Sequence, residues 1–595
     1  MRDESKLINS KKNTKRSKAK RSSIVGLFLI SCVLIGFLAD GMLAVSKTIS
    51  ELNKTYTDDC KIEINAFMES DPTRCREYAD KFQAVMELYN MPYNLTGDGW
   101  DYYIHSDVVF DYDTAEWAEV VNESTYLDTC NFLNTSHPLN KINYYSELAH
   151  SSFLSGYISI GEAFRYALAQ REKNQTLINR SEQHLLHIVR AYDLWTNISG
   201  DGRMVRYLVP DTPKGRKYIY NSIFTESWAG SHNIYSKNYT YSGKEYKFYI
   251  YGGTSVDCYH SVYGALGCIY LLCNNTQIRT IIRRTVDRML TYHENNSWKF
   301  LDADGKTHNM GAEAIQGSPI SDTMYTLLFL RVGKTVNPRK WGGKYDRYVF
   351  DRLFNKDCGK HIILGIQSIF IWSGGYFNVN LPVSIAGILT FLEDDHTLKQ
   401  YYRNRFLRAC HELTKYHRYA WYDIIYYLGN AEIDYSNYEM VISAPNEIRI
   451  NSYWQDYIDA NIGDTLMRLS YRKFPYRDWR HASGNASYSD PNYTPIPSAG
   501  YPEQNRYYWY EDPDIPSNNW LVTIVARDAS IISIRNYMDV AMPIDWLNTD
   551  SWIYGRNPFV RSQSAGDGRR GCLGGVYTVP YWIARYLSLP AVATS

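Results

Sequence analysis

Excess charge of either sign is missing from this chain: 64 Lys and Arg stand against 63 Asp and Glu, a formal charge of +1. Once the basic head at residues 1–22 is set aside, the remainder carries no cationic surplus, so no nucleic-acid partner is implied for that part. No Cys/His spacing has the paired arrangement of a zinc site, and neither a metal nor a cofactor is expected. The Asp302-Ala-Asp304-Gly305 stretch lacks the further oxygen ligands of a calcium loop. Gly311 stands where an EF-hand would place its glutamate, so the stretch reads as the turn of a short strand pair. Sustained period-two alternation is also missing, which argues against a sandwich or barrel of strands. Cysteine is scarce, ten in 595 residues. With Cys32 inside an apolar run, nine remain, an odd number that leaves one free or paired to another chain in an oxidising compartment. Cys60 and Cys75 read as a local bridge, and Cys258, Cys268 and Cys273 as buried thiols.

The near-zero charge hides an uneven distribution. Residues 1–22 hold nine Lys and Arg against two Asp and Glu, which leaves 55 basic and 61 acidic residues in the rest, a net of −6. This basic head is followed by an uncharged, mostly apolar run from Ile24 to Ala39, interrupted by Asp40 and resumed through Val45. Such a run at residues 23–45 is long enough to cross a bilayer as a signal-anchor. The positive-inside rule then leaves the head in the cytoplasm and the remainder in the secretory-pathway lumen or at the cell surface, a single-pass type II membrane protein. A cleaved signal peptide with a long basic head is the competing reading. All the Asn-x-Ser/Thr sequons follow this run, as glycosylation of a luminal domain requires: Asn53, Asn94, Asn122, Asn134, Asn174, Asn179, Asn197, Asn238, Asn274, Asn295, Asn485 and Asn492.

What is present in abundance is helical periodicity. In Val256-Asp257-Cys258-Tyr259-His260 and onward, Tyr259, Val262, Tyr263, Leu266, Ile269, Tyr270 and Cys273 recur at steps of three and four, one face of a helix. Gly252 and Gly253 break the preceding segment, Ser255 reads as the N-cap, and Asp257 falls in the first turn, where its charge faces the positive end of the helix dipole. Phe153, Tyr157, Ile160, Phe164 and Leu168 mark an earlier helix, Leu185 to Val189 its hairpin partner, and Ile278 to Tyr292 the partner of the central one. Residues 200–210 read as a turn into an extended segment and 211–250 as aromatic and irregular. Further helical stretches cover 321–330, 362–372, 381–392, 401–416, 422–428 and 458–469, with a last helix from Val576. Residues 46–140 read as a stem with few core contacts, and 473–520 as long loops over one face. The expected fold is all-α, with residues 141–595 forming a ring of helical hairpins with small β insertions.

Several segments in order resemble a largely uncharacterised bacterial and archaeal family of the six-hairpin (α/α) toroid superfamily. They are Ser155 to Ala167 around Glu162, Gly202-Arg203-Met204-Val205-Arg206, Thr254 to Tyr259 around Asp257, Leu301 to Gly305, Tyr416 to Tyr426 around Asp423, Leu469 to Pro475, Trp552 to Phe559 and Pro580 to Tyr586. The resemblance spans roughly residues 145–590 and implies an (α/α) toroid that acts on a carbohydrate. This chain departs from the family's usual Ser-Arg-Asp-Gln-Tyr by Val256 and Cys258, so it lacks the side chains for any contact made by that arginine and glutamine.

Glycoside hydrolysis needs two carboxyls, one to protonate the leaving oxygen and one to activate water or attack. Asp257 is the first, with Glu162 and Asp423 as the leading partners and Glu226, Asp545 and Asp550 behind them. Glu162 also reads as a buried carboxylate paired with Arg165 or Arg206, and Asp423 as the acceptor of a backbone amide. A lyase or uronyl epimerase would instead use a His or Tyr base and a cation for the substrate carboxylate, for which Tyr259, His260, His417, Arg203 and Arg206 are available. Flat rings stack on sugars, so Trp228, Trp552, Tyr581 and Trp582 are expected as substrate platforms. A non-catalytic glycan-binding or structural surface protein is the reading from another class, and the oligomeric state is open.

Overall fold

The computed structural model describes residues 71–92, 104–111, 132–301 apart from 147, 221–233 and 242, 323–363 apart from 360–361, 377–470 apart from 415–418 and 444, 477–479, 567–571 and 574–593. The described residues are mostly helical, as expected. The apolar run at 23–45 lies outside them, as do the Asp302–Gly305 turn and the loops at 480–520. Among the described residues no helix is long and apolar enough to cross a membrane.

Twelve helices carry the architecture: α1 (Pro72–Tyr89), α2 (Ser151–Arg171), α3 (Gln175–Asn197), α4 (Val256–Leu272), α5 (Thr276–Asn295), α6 (Tyr325–Val336), α7 (Pro338–Val349), α8 (Phe377–Leu392), α9 (His396–Tyr402), α10 (Ala420–Gly429), α11 (Ser452–Ser470) and α12 (Gly575–Tyr586). They alternate in kind. The even-numbered helices are apolar on more than one side; α2 is buried without interruption from Ser151 to Ala169, and α4 nearly throughout. The odd-numbered α3 and α5 keep one apolar stripe, including Ile188 and Val189 on α3 and Ile278, Ile282 and Met289 on α5, and turn a polar face outward. A helix apolar all round must be covered on every side, which is what the second set provides.

Packing follows a closed sequence. Helix α2 lies against α4, α4 against α6, α6 against α8, α8 against α10, α10 against α12, and α12 returns to α2. Side-chain pairs along these contacts run in the same order on both partners. His260 and Ser261 of α4 meet Tyr157 and Gly156 of α2 near their starts, and Asn274, just past α4, meets Tyr166 further along α2. His260 meets Tyr325 and Tyr263 meets Phe329 along α4 and α6, while Trp421 meets Ser384 and Gly429 meets Thr390 along α10 and α8. These even-numbered helices therefore run parallel, with their first turns at one end. Glycine permits the closest approach: a Cβ on Gly156 would sit 2.7 Å from the backbone of Ser261.

The lead-in and the strands differ from expectation. The stem was expected to make few core contacts, but α1 buries Cys75, Ala79, Phe82, Met86 and Tyr89 against α11 and α12. Phe82 stacks on Tyr577 at 4.7 Å, so this part of 46–140 belongs to the core. Strands β1 (Asp107–Phe110) and β2 (Ile142–Ser146) pair antiparallel, and β1 also takes the late strand at Asp567–Gly571, tied by Arg570 to Asp107 at 2.7 Å. Residues 211–250 are not irregular throughout. After β3 (Tyr207–Pro210), β4 (Ile234–Tyr241) and β5 (Lys244–Tyr251) form a hairpin, and β5 pairs with both neighbours. This small sheet leads straight into Gly252-Gly253 and the start of α4.

Candidate functional site

Gly253 adopts a φ of 70°, open to glycine at little cost, and lets the chain leave β5 and turn into α4. Ser255 occupies the N-cap position, but its hydroxyl faces Cys258 Sγ at 3.4 Å rather than a backbone amide. Asp257 follows in the first turn and is 7% exposed. Among the described residues its carboxylate makes no hydrogen bond and no ion pair. Its oxygens still reach solvent, so the charge is not sealed in the interior without a donor.

Beside it lies a polar and aromatic cluster built from the starts of the parallel helices. His260, one turn on from Asp257, is fully buried, and its Nε2 lies 2.7 Å from the hydroxyl of Tyr157 on α2. Ser384 and Asn380 of α8 also face that hydroxyl, and Ser384 accepts a hydrogen bond from Trp421 Nε1 of α10 at 3.0 Å. Tyr157 and Trp421 meet edge to face at 5.0 Å, and Tyr325 of α6 packs on His260 at 5.6 Å. Burial lowers the pKa of His260 to about 4, against the opposing pull of Asp257, so the imidazole is neutral near neutral pH. Burial raises the phenols of Tyr157 and Tyr325, and the Asp257 charge adds to both shifts. Cys258 is pushed up to about 11 by burial and then by Asp257, which makes it an inert thiol.

The other two carboxyls are held elsewhere. Glu162, midway along α2, receives Arg165 at 3.0 Å and lies 3.2 Å from His184 Nδ1, with Gln83 of α1 donating to it at 3.1 Å. Burial alone would raise its pKa, but Arg165 and His184 overcome that and hold the carboxyl well below the usual range. Asp423, in the first turn of α10, accepts a hydrogen bond from Asn461 of α11. Neither joins Asp257 in the contacts described.

Tyr259 turns the other way from His260: its hydroxyl accepts the Met204 amide at 3.0 Å and its ring packs on His293 and Phe300. Arg206 donates to the carbonyls of Ala149 and Gly253, bracing the turn before α4, and Arg203 pairs with Asp201 at 3.4 Å. Tyr581 is 1% exposed among Tyr577 and Trp582, and Trp582 carries Arg165 over its ring, so both are packed in the core rather than presented to a cleft. Trp228, His417, Trp552, Glu226, Asp545 and Asp550 lie outside the described residues. Of the sequons, Asn53, Asn94, Asn122, Asn485 and Asn492 also lie outside, while Asn134, Asn174, Asn179, Asn238, Asn274 and Asn295 are exposed and Asn197 is half-buried.

In the sequence Tyr157 reads only as one residue of a helix face, and nothing singles out Tyr325, Asn380, Ser384 or Trp421. Their convergence depends on which helices are neighbours, and no spacing within one segment encodes that. The six described cysteines are all free thiols. Cys258, Cys268 and Cys273 are buried as expected, whereas Cys75 is a buried thiol instead of half of a bridge to Cys60, which lies outside the described residues. Among the described residues no group of His, Cys, Asp and Glu could hold a metal. No known protein family, curated protein or solved structure matches the chain.

Proposed function

We propose that the twelve helices form a six-hairpin (α/α) toroid and that the protein is a carbohydrate-active enzyme of the secretory pathway or cell surface, working at the end of the ring where the parallel helices begin. The observation that carries the reading is Asp257, a largely buried acid at the start of an inner helix whose carboxylate has no hydrogen-bond or ion-pair partner among the described residues and still reaches solvent. An acid left without a donor at the mouth of a ring is suited to exchange a proton with a bound glycan. Glycoside hydrolysis is the reaction class proposed, with Asp257 as one of its two carboxyls. Glu162 and Asp423, the leading candidates for the second, each have a side-chain partner of their own, and Glu226, Asp545 and Asp550 are the remaining candidates.

A second reading, elimination or epimerisation at a uronyl sugar, is favoured by one feature. His260 is neutral near neutral pH and bonded to the Tyr157 hydroxyl, which leaves an unprotonated imidazole of the kind that proton abstraction from a sugar carbon needs. Incubating the purified protein with a panel of neutral and uronate-containing oligosaccharides separates the two. Hydrolysis yields new reducing ends without ultraviolet absorbance, and elimination yields an absorbing unsaturated uronate. No turnover of any member would leave the non-catalytic reading in possession.

A further inference from the structure

Seven sequons fall on described residues, and the structure sorts them by whether the asparagine and its hydroxyl residue could carry a bulky group. Asn134, Asn174, Asn274 and Asn295 are exposed, and so are their hydroxyl partners Ser136, Thr176, Thr276 and Ser297. Asn134 lies in a turn whose side-chain oxygen accepts the Ser136 amide at 3.1 Å. Asn174 occupies the joint between α2 and α3 and caps α3 through its oxygen, which accepts the Leu177 amide. Asn274 occupies the joint between α4 and α5, where its oxygen accepts the Tyr166 hydroxyl. Asn295 is the last residue of α5. In each of the first three the structural bond uses the amide oxygen, and none of the four has its Nδ2 engaged by another described residue.

Asn197 is the contrasting case. Its Nδ2 donates to Tyr239 Oη at 2.5 Å, the intervening Ile198 is fully buried, and the Ser199 hydroxyl is bonded to the Arg203 carbonyl at 2.7 Å. A glycan there would break the tie between the end of α3 and the β4–β5 hairpin.

We propose that Asn134, Asn174, Asn274 and Asn295 carry N-linked glycans and that Asn197 does not. The chemistry is transfer from a lipid-linked oligosaccharide phosphate. Asparagine Nδ2 forms a bond to the anomeric carbon, the bond from that carbon to the carrier's phosphate oxygen breaks, the carrier leaves with the electron pair, and one amide proton passes to the transferase base. Asn274 follows the seventeen residues of α4, so it stands about 25 Å along that helix from Asp257 at a rise of 1.5 Å per residue, clear of the proposed site. The inference rests on the proposed secretory-pathway placement and not on the proposed reaction.

The test is peptide mapping by mass spectrometry of the full chain purified from its native cells, beside a Thr276→Ala variant. Expected are sugar mass increments on the peptides holding the four named asparagines, an unmodified Asn197 peptide, and loss of the increment at Asn274 alone in Thr276→Ala. An unmodified peptide at any of the four, a glycan on Asn197, or an increment at Asn274 that survives Thr276→Ala overturns the proposal.

Discussion

The hydroxyl of Tyr157 lies 2.7 Å from Nε2 of His260, a contact between two helices whose residues are 103 positions apart. It ties α2 to α4 beside Asp257, and through Ser384 and Trp421 the same cluster reaches α8 and α10. Tyr157→Phe keeps the ring and removes the hydroxyl, leaving buried polar groups without their partner. The expected cost is about 1–3 kcal/mol in denaturant unfolding, and Tyr157→Phe should also change the pH profile of any turnover, since His260 then lacks its phenolic partner. An unchanged midpoint would mean that the contact contributes nothing to the packing of α2 against α4.

Glu162 and Arg165 test the opposite assignment, that a buried acid is structural. Each is surrounded by charge partners, so Arg165→Ala strands the carboxylate and is expected to destabilise the fold by about 3–5 kcal/mol. Unfolding midpoints measure this. Glu162→Gln, provided it folds, should keep turnover; its complete loss without a structural change would return Glu162 to the chemistry.

Stability should fall on mild acidification. His260 and His293 are fully buried, and burial sets their pKa values at about 4 and about 3. Both ring nitrogens of His293 lack a hydrogen-bond partner among Tyr259, Tyr263, Trp298, Phe300 and Phe329. Below an unfolded-state value of about 6.5 the unfolded chain takes up protons that the folded one refuses, so stability is lost as pH falls from about 6.5 toward 4. Thermal unfolding across that range checks the direction, and His293→Phe should flatten part of the slope.

Close helix approach gives a further expectation. A methyl group on Gly156 would meet the Ser261 backbone on α4, which cannot move aside as a flexible side chain could. Gly156→Ala is expected to cost about 1–3 kcal/mol, read by thermal or denaturant unfolding, whereas Gly343→Ala, with nothing near its added carbon, should be close to neutral.

The helices were readable because their apolar residues recur at three and four, and α2, α4 and α5 fall where that spacing places them. The same spacing occurs in α1, where Cys75, Ala79, Phe82, Met86 and Tyr89 fall at such steps, but the sequons and polar residues flanking it give the segment the composition of a stem. The β4–β5 hairpin was missed among tyrosines whose alternation with Ser, Lys, Asn and Thr, around Ser242-Gly243, is a strand signal. At the site, Asp257 and its place in the first turn were legible, as was Glu162 pairing with an arginine three residues on. What was not legible is which residues from α2, α6, α8 and α10 stand around it, because that depends on helix order in space.

The central claim is that Asp257 exchanges the proton with a bound glycan. The most direct measurement is turnover of the best substrate from the oligosaccharide panel by Asp257→Asn, with its unfolding midpoint taken in parallel. Asparagine keeps the shape and removes the titratable charge, so turnover should fall by about a hundredfold or more while the midpoint holds or rises. Unchanged turnover in a folded Asp257→Asn protein would contradict the account.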